Sequence, residues 1–386
     1  MSRRGRAPWA SARRVAPALL LGPFLGLAAA GLAGCEDAPA GDAAPVTPGS
    51  ALFAVHLQSE VDDSSRYTGQ LVLVDADGSA SAVPTRDGHG SAPRWTPAGP
   101  TLALPDHDAV LRDTTLVEGP ARTRMESEVF STVADGRTVR VMGAAERPSA
   151  GLSGPMVLGV WDGDPAHPTR EVRLPEWIET GGACGSLVHL VTQPARGPRH
   201  LLSVDVAGDG PLRVRDVGPL RGDVLGVTGI RGTGCLDGDP VVVTNRAPRP
   251  DRTSHTFVTR IDARTAALTP LRASEDLVEG EETWTLVGQV GTTAVLAAGH
   301  DRDVVAVDLG TGTVRTLLAD PGGERHQVAV AGDRALVLSH DGDGTAFSAV
   351  VLEVTGGRVV QRLDVELPAP GRDGEYVEVA GLALRP

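Results

Sequence analysis

Residues 283–320 read TWTLVGQVGTTAVLAAGHDRDVVAVDLGTGTVRTLLAD, in which short apolar stretches are separated by turn residues. Apolar residues recur at a period of two within each stretch, as they do in β-strands. Because the turns between the stretches are short, this segment predicts four consecutive antiparallel strands in an up-and-down meander. Residues 326–366 repeat the arrangement.

A shorter unit recurs from residue 51 to the C-terminus, where we find no convincing amphipathic helix. It is an apolar strand that ends in a carboxylate, then a tight turn with Gly, then a second strand. The carboxylate stabilises such a turn by accepting hydrogen bonds from backbone amides, and Gly supplies the positive φ. Copies occur at residues 71–78, 157–164, 201–210, 257–265, 305–312 and 350–357, with a weaker one, TTLVEG, at Glu118.

These units repeat at roughly 40 to 50 residues, which is the period of four-stranded propeller blades. We therefore predict an all-β fold, a seven-bladed β-propeller of four-stranded antiparallel blades. The first blade lacks an inner strand before ALFAVHL (51–57). At the other end of the sequence, YVEVAGLAL (376–384) is an additional strand that belongs to no blade. Pairing the two completes the first blade and removes two exposed edges, which favours a closed propeller over a β-sandwich or β-helix.

One stretch, SAPRWTPAGPTLALPD at residues 91–106, resembles the repeat of TolB-like propellers, Pro-x-Trp-Ser-Pro-Asp-Gly before a short apolar strand. Pro93, Trp95, Pro97 and Gly99 match, while Thr96 replaces the Ser and Ala98 the Asp. The VWDG sequence at residues 160–163 also resembles the tryptophan-aspartate (WD40) repeat. These resemblances imply a propeller fold and, by analogy, a protein-binding or scaffold role.

The N-terminus predicts a bacterial lipoprotein. Five Arg precede an apolar stretch that ends in Leu32-Ala33-Gly34-Cys35. Such a signal is cleaved before a Cys that receives the lipid. We expect a signal peptide at residues 1–34, lipidation of Cys35, a disordered Pro- and Ala-rich tether at 35–50 and the propeller at 51–386. Cleavage elsewhere is the alternative, and both general secretory and twin-arginine export stay open.

The predicted location is the outer face of the cytoplasmic membrane or the periplasmic side of the envelope. The leader carries five Arg and no acid, so the net charge of −13 becomes −18 in the mature chain. Nucleic acid and anionic headgroups are therefore not expected as partners. We expect a monomer that contacts the membrane through its lipid and binds a protein of the envelope.

Two cysteines remain if Cys35 carries the lipid. Cys184 and Cys235 occupy similar places in the predicted blades four and five, each following an inner strand. Outside the cytoplasm such a pair forms a disulfide, which predicts a bridge between these blades. Two buried thiols are the alternative.

Histidine and aspartate residues recur in the predicted loops of blades six, seven, one and two, which are neighbours in a closed ring. Such loops share one face of a propeller, and imidazole and carboxylate groups are ligands for divalent metals. The candidate ligand or metal residues are His89, Asp106, His107, His300, Asp301, His326, His340 and Asp341. The alternative is that these residues simply populate exposed turns.

Several enzyme classes lack their motifs. The chain has no Gly-x-Ser-x-Gly elbow, and it contains no Lys for a phosphate-binding loop. DGDGT at residues 341–345 lacks the distal Glu of an EF-hand loop. We assign no catalytic residue and expect a non-catalytic propeller that binds an envelope protein or ligand. The alternatives are a metal-dependent hydrolase or lactonase that uses the His and Asp residues, and a sensor of small ligands.

Overall fold

The structure is a computed structural model. It describes residues 45–61, 66–85, 91–144, 156–194, 197–222, 227–246, 255–271, 284–298, 303–321, 325–340, 346–368 and 377–386. Within these ranges the regular secondary structure is entirely β-strand. None of the described segments forms a helix long and apolar enough to cross a membrane.

The strands follow one another in meanders that we number in chain order. Meander 1 contains β1 (Phe53–Val61), β2 (Arg66–Val74) and β3 (Ala80–Thr85). Meander 2 contains β4 (Arg94–Thr96), β5 (Gly99–Ala103), β6 (Asp108–Arg112) and β7 (Thr115–Glu118). Meander 3 contains β8 (Met125–Ala134), β9 (Arg137–Ala144), β10 (Met156–Trp161) and β11 (Arg170–Leu174). Meander 4 contains β12 (Ile178–Cys184), β13 (Leu187–Thr192), β14 (His200–Asp205) and β15 (Val214–Pro219).

The second half of the chain continues the pattern. Meander 5 contains β16 (Val227–Leu236), β17 (Asp239–Arg246), β18 (His255–Ile261) and β19 (Leu268–Pro270). Meander 6 contains β20 (Trp284–Val290), β21 (Thr293–Ala298), β22 (Val304–Asp308) and β23 (Val314–Leu318). Meander 7 contains β24 (Arg325–Ala331), β25 (Arg334–His340), β26 (Ala346–Glu353) and β27 (Arg358–Glu366). The last strand, β28 (Val377–Leu384), joins meander 1.

Each meander is a four-stranded antiparallel sheet with its strands in sequence order, except that β28 precedes β1. We call β28, β4, β8, β12, β16, β20 and β24 the inner strands because each contacts the inner strand of the next meander. One parallel bridge, between Gly232 and Leu286, joins meanders 5 and 6 into a single eight-stranded sheet.

The first and last strands of the folded chain are paired. β28 runs antiparallel to β1 from Phe53–Leu384 to Ser59–Val377, with a register shift between His56 and Leu57. This is the strand pairing that the sequence predicts. Trp95 of the TolB-like stretch also contacts β28, since its indole Nε1 donates a hydrogen bond to the Ala383 carbonyl at 3.2 Å. The motif tryptophan thus ties meander 2 to the C-terminal strand.

The apolar core lies in layers between consecutive meanders. Leu336 and Leu338 of β25 pack towards meander 1, whereas Ala335 and Val337 pack towards meander 6. Both faces of this strand are covered, so its buried residues form an unbroken apolar run instead of an alternating one. Outermost strands such as β11 keep the alternation because one of their faces meets solvent.

Aspartates stabilise the turn after the third strand of several meanders, as the repeat predicts. The Oδ1 atoms of five of them accept hydrogen bonds of 2.8–3.0 Å from the backbone N–H two residues later: Asp75, Asp162, Asp205, Asp262 and Asp308. Amide donation from Thr311 lowers the pKa of Asp308. Glu118 does not play this part, because it ends β7 and the corresponding turn of meander 2 follows Arg112.

Contacts with the sheets begin before residue 51. Val46 is buried beside Ala51 and Ala54, and its N–H donates to Ser81 Oγ at 2.8 Å. Residues 45–50, which their composition assigned to the tether, therefore belong to the folded unit that begins at Pro45.

We expect removal of residues 376–386 to abolish cooperative unfolding and to cause aggregation. The deletion exposes the edge of β1 and the surface of β4 that Trp95 shares with β28. Thermal unfolding followed by circular dichroism and light scattering checks this, with a chain lacking only Pro386 as the control. A melting curve like that of the parent chain would show that the terminal strand is dispensable.

Candidate functional site

The inner strands surround a channel of about 1220 Å³. All seven contribute to its wall, and most of the lining residues are Gly, Ala, Val or Thr. The wall is therefore smooth and almost uncharged. The volume of the channel exceeds the roughly 300–1,000 Å³ of most small-molecule pockets, so the channel has room for a larger ligand.

Of the residues that the structure describes, three charged ones line the channel: Arg94, Glu179 and Arg231. Glu179 is held by Arg199, whose Nε donates to Glu179 Oε2 at 2.5 Å, and by the Ile230 N–H, which donates to Oε1 at 2.8 Å. Both oxygens of this carboxylate are therefore engaged in hydrogen bonds within the wall. The Arg231 side chain, by contrast, is exposed.

Arg94 links the inner strands of meanders 2 and 3. Its guanidinium donates to the Ser131 carbonyl from Nε at 3.2 Å and from Nη2 at 2.9 Å, and to the Pro93 carbonyl at 3.2 Å. Burial lowers the pKa of Arg94, and the nearby Glu128 opposes this shift. Arg94 is therefore occupied in holding the wall together.

A buried ion network supports this part of the wall. Arg140 donates from Nη1 to Glu128 Oε2 at 2.6 Å, and its Nε lies 3.6 Å from Asp108 Oδ1. Asp108 in turn accepts hydrogen bonds at Oδ2 from Arg122 Nε at 3.1 Å and from Thr169 Oγ1 at 2.6 Å. The side chains of the four charged residues are at most 6% exposed, so these charges compensate one another inside the protein.

Two of the candidate metal ligands form an exposed pair. Asp106 and His107 follow β5 in meander 2, and His107 Nδ1 lies 2.8 Å from Asp106 Oδ1. Their side chains are 52% and 27% exposed, respectively. The pair lies in the predicted loop.

His326 and His340 lie on strands instead of in loops, which corrects the sequence-based expectation. His326 is the second residue of β24, and His340 is the last residue of β25. His340 is only 8% exposed and packs against Phe347 at 5.1 Å between ring centroids, because it continues the face of Leu336 and Leu338. His326 pairs with Ser339, so the alternation of the sheet turns these two imidazoles to opposite faces.

The remaining candidates, Cys35, His89, His300, Asp301 and Asp341, lie outside the described residues. Among the residues that the structure does describe, no three His, Cys, Asp or Glu side chains are grouped so that they could hold a metal ion.

Sequence reasoning missed two exposed His–Asp pairs. His167 Nδ1 lies 2.8 Å from Asp162 Oδ2, and His200 Nδ1 lies 3.0 Å from Asp216 Oδ2. The hydrogen bond with Asp162 raises the pKa of His167. The proximity of Asp162 and His167 in the sequence is a signal for the first pair, whereas the second depends on the pairing of β14 with β15.

The two remaining cysteines form the predicted disulfide. Cys184 and Cys235 are joined with 5.4 Å between their Cα atoms and a sequence separation of 51. Both lie within the inner strands β12 and β16, near the turns that lead to the second strands. The bridge therefore connects meanders 4 and 5 at one end of the channel.

No family model matches the sequence, and no curated protein matches it. Similar folds occur among solved structures. The S511A mutant of puromycin hydrolase complexed with PGG has a TM-score of 0.50 at 16% identity, over 82% of this chain and 54% of that one. Acylaminoacyl peptidase from Pyrococcus horikoshii has a TM-score of 0.52 at 11% identity, over 82% and 51%. TolB from Acinetobacter baumannii has a TM-score of 0.42 at 14% identity, over 86% and 65%.

The first two of these similarities show the fold alone. The protein is a β-propeller. The chain spans about half the length of the puromycin hydrolase and of the acylaminoacyl peptidase, so their activities do not transfer with the fold.

We expect Arg140→Met to destabilise the protein by about 3–5 kcal/mol, because Glu128 stays buried without its cation and Asp108 keeps only Arg122. Urea unfolding at neutral pH measures this change. The matched control is Arg358→Met, which removes a pair whose arginine is 77% exposed and should cost less than about 1 kcal/mol. Equal effects of the two substitutions would contradict the role of the network.

His56 should make stability fall as the pH drops from 6.5 to 4. Burial lowers the pKa of His56 to about 4, although a 2.9 Å hydrogen bond with the Ser91 carbonyl opposes the shift. Between pH 6.5 and 4 the unfolded chain binds a proton at His56 and the folded chain does not. The free energy of unfolding therefore falls by up to about 3 kcal/mol across this pH range, and His56 has no effect on it above pH 6.5. His56→Gln should flatten the pH dependence of the unfolding free energy. Parallel curves for both proteins would exclude His56 as the cause.

Proposed function

We propose that the protein is an extracytoplasmic lipoprotein, anchored through lipid on Cys35, whose closed seven-bladed β-propeller binds another protein of the envelope without catalysis. The seven meanders supply the blades, and β28 completes the first of them. Support comes from the contacts between inner strands, which run from β28 through each meander to β24 and back to β28.

The channel is the observation that carries the binding role. It is preformed, it is lined by all seven inner strands, and its wall is formed mainly by short uncharged side chains. Such a wall offers shape and backbone hydrogen bonds, which are means of recognition. Two of its three charged groups are engaged in holding the wall: Glu179 bonds Arg199 and Ile230, and Arg94 bonds Ser131.

Metal-dependent hydrolysis, including lactone hydrolysis, is the alternative function. The exposed Asp106–His107 pair favours it, because a carboxylate that bonds one imidazole nitrogen orients the other towards a metal. A working site would need further ligands, for which His89, His300, Asp301 and Asp341 are the candidates.

We expect the full-length protein to sediment with membranes and a Cys35→Ser variant to be released, because the variant has no lipidated residue. After purification in detergent, the parent protein should retain an envelope protein in near-equal amount, hold no tightly bound metal and hydrolyse neither esters nor lactones. Co-purification, elemental analysis and rate assays with and without a chelator measure these properties. One metal ion per chain with chelator-sensitive hydrolysis would instead establish the enzyme.

A further inference from the structure

Among the described charged residues that line the channel, Arg231 is the one whose side chain does not hold the wall together. Its side chain is exposed in the channel wall, and no carboxylate of the described residues forms an ion pair with it. The other two charged residues of the wall differ in this respect, since Glu179 is paired with Arg199 and Arg94 bonds main-chain carbonyls. Arg231 therefore offers its donors to whatever enters the channel.

A backbone irregularity determines where Arg231 sits. The pairing of β16 with β17 shifts register between Arg231 and Gly234. Gly232, the next residue, has φ +65°, and a Cβ there would lie 1.9 Å from the Leu286 carbonyl oxygen. Only glycine fits this bulge, and bulges commonly redirect a neighbouring side chain. The backbone conformation of the inner strand β16 thus determines the position of the Arg231 guanidinium.

The wall around Arg231 suits an extended polypeptide. Each inner strand lies at the end of its sheet or, for β16 and β20, shares one bridge with its neighbour. Backbone N–H and C=O groups along such edges can pair with an added chain. Most of the residues that line the channel are Gly, Ala, Val or Thr, and such short side chains leave the channel open beside these strands.

We propose that the channel binds the C-terminal end of a partner polypeptide, with its terminal carboxylate on the Arg231 guanidinium. Arginine binds carboxylates through two parallel hydrogen bonds, which gives both strength and orientation. The remainder of the bound segment is uncharged, because the other charged side chains among the described lining residues, Arg94 and Glu179, are already hydrogen-bonded within the wall, and the mature chain, at −18, repels additional acids. This inference rests on the proposed binding function and names the chemistry of the partner.

The test uses full-length protein in detergent and a library of hexapeptides of Gly, Ala, Val, Thr, Ser and Leu that carry an uncharged N-terminal fluorophore. One library ends in a free carboxylate and the other in a carboxamide. Fluorescence anisotropy should show binding of the carboxylate library at least tenfold tighter than that of the carboxamide library. Arg231→Gln should remove this difference, and Arg231→Lys should restore part of it.

Arg213→Gln is the matched control, since it removes the same charge from an exposed arginine that does not line the channel. It should bind both libraries as the parent protein does. The melting temperature of each variant shows that the fold is intact. Sodium butyrate tests for a small carboxylate ligand, and we expect it to compete far more weakly than the peptides.

Equal binding of both libraries, no binding of either up to about 1 mM, or competition by butyrate as strong as by peptides would each overturn the inference. Failure of the proposed function is a separate result. A captured envelope protein whose binding survives Arg231→Gln preserves that function and rejects only the Arg231 site. Chelator-sensitive hydrolysis without a captured protein rejects the function itself.

Discussion

The close approach of neighbouring inner strands is the constraint on which the rest of the structure depends. A Cβ at Gly182 would lie 2.6 Å from the Thr233 Cβ, one at Gly288 would lie 2.4 Å from the Val330 Cβ, and one at Gly381 would lie 2.4 Å from the Ala92 Cα. A larger residue at these points forces a shift that well-packed sheets accommodate poorly. Glycine at these contacts sets the distance between meanders, and this distance in turn fixes the width of the channel and the thickness of each apolar layer.

Several polar side chains are buried behind the channel wall, between adjacent meanders. Arg140 and Arg122 neutralise Glu128 and Asp108 between meanders 2 and 3, and His56 is held uncharged between meanders 1 and 2. Buried charges of this kind cost desolvation and are stable only when paired. Their effect is to fix how adjacent sheets meet while the channel surface stays nearly uncharged. Arg231 differs from these buried groups because its side chain is exposed in the channel wall.

The features that could be predicted from the sequence are those that local chemistry repeats. Asp308 and its counterparts mark a turn in one meander after another, and the unmatched strand at 376–384 points to its partner near residue 51. The sequence predicts a loop at His340, whereas this residue is the last of a strand. The local sequence is the same in both cases, and the packing of His340 against Phe347 distinguishes them. Arg231 gives no local signal either. Its importance comes from the register shift against β17 and from the approach of Gly232 to Leu286, which lies more than fifty residues away in the sequence, and none of the described carboxylates forms an ion pair with it.

Binding in the channel and completion of the first meander are physically coupled. β28 supplies channel residues such as Ala380 and Leu382, and the same strand pairs with β1. A ligand that contacts several inner strands binds the chain in which β28 is paired with β1. It does not bind a chain in which β28 has detached. By mass action it therefore stabilises the paired termini, by about 2.7 kcal/mol at a hundredfold excess over its dissociation constant. The disulfide between β12 and β16 acts on the other side of the channel, where it joins two walls covalently. Non-covalent pairing with β1 holds β28 in the channel wall. A bound partner would therefore stabilise this part of the wall most.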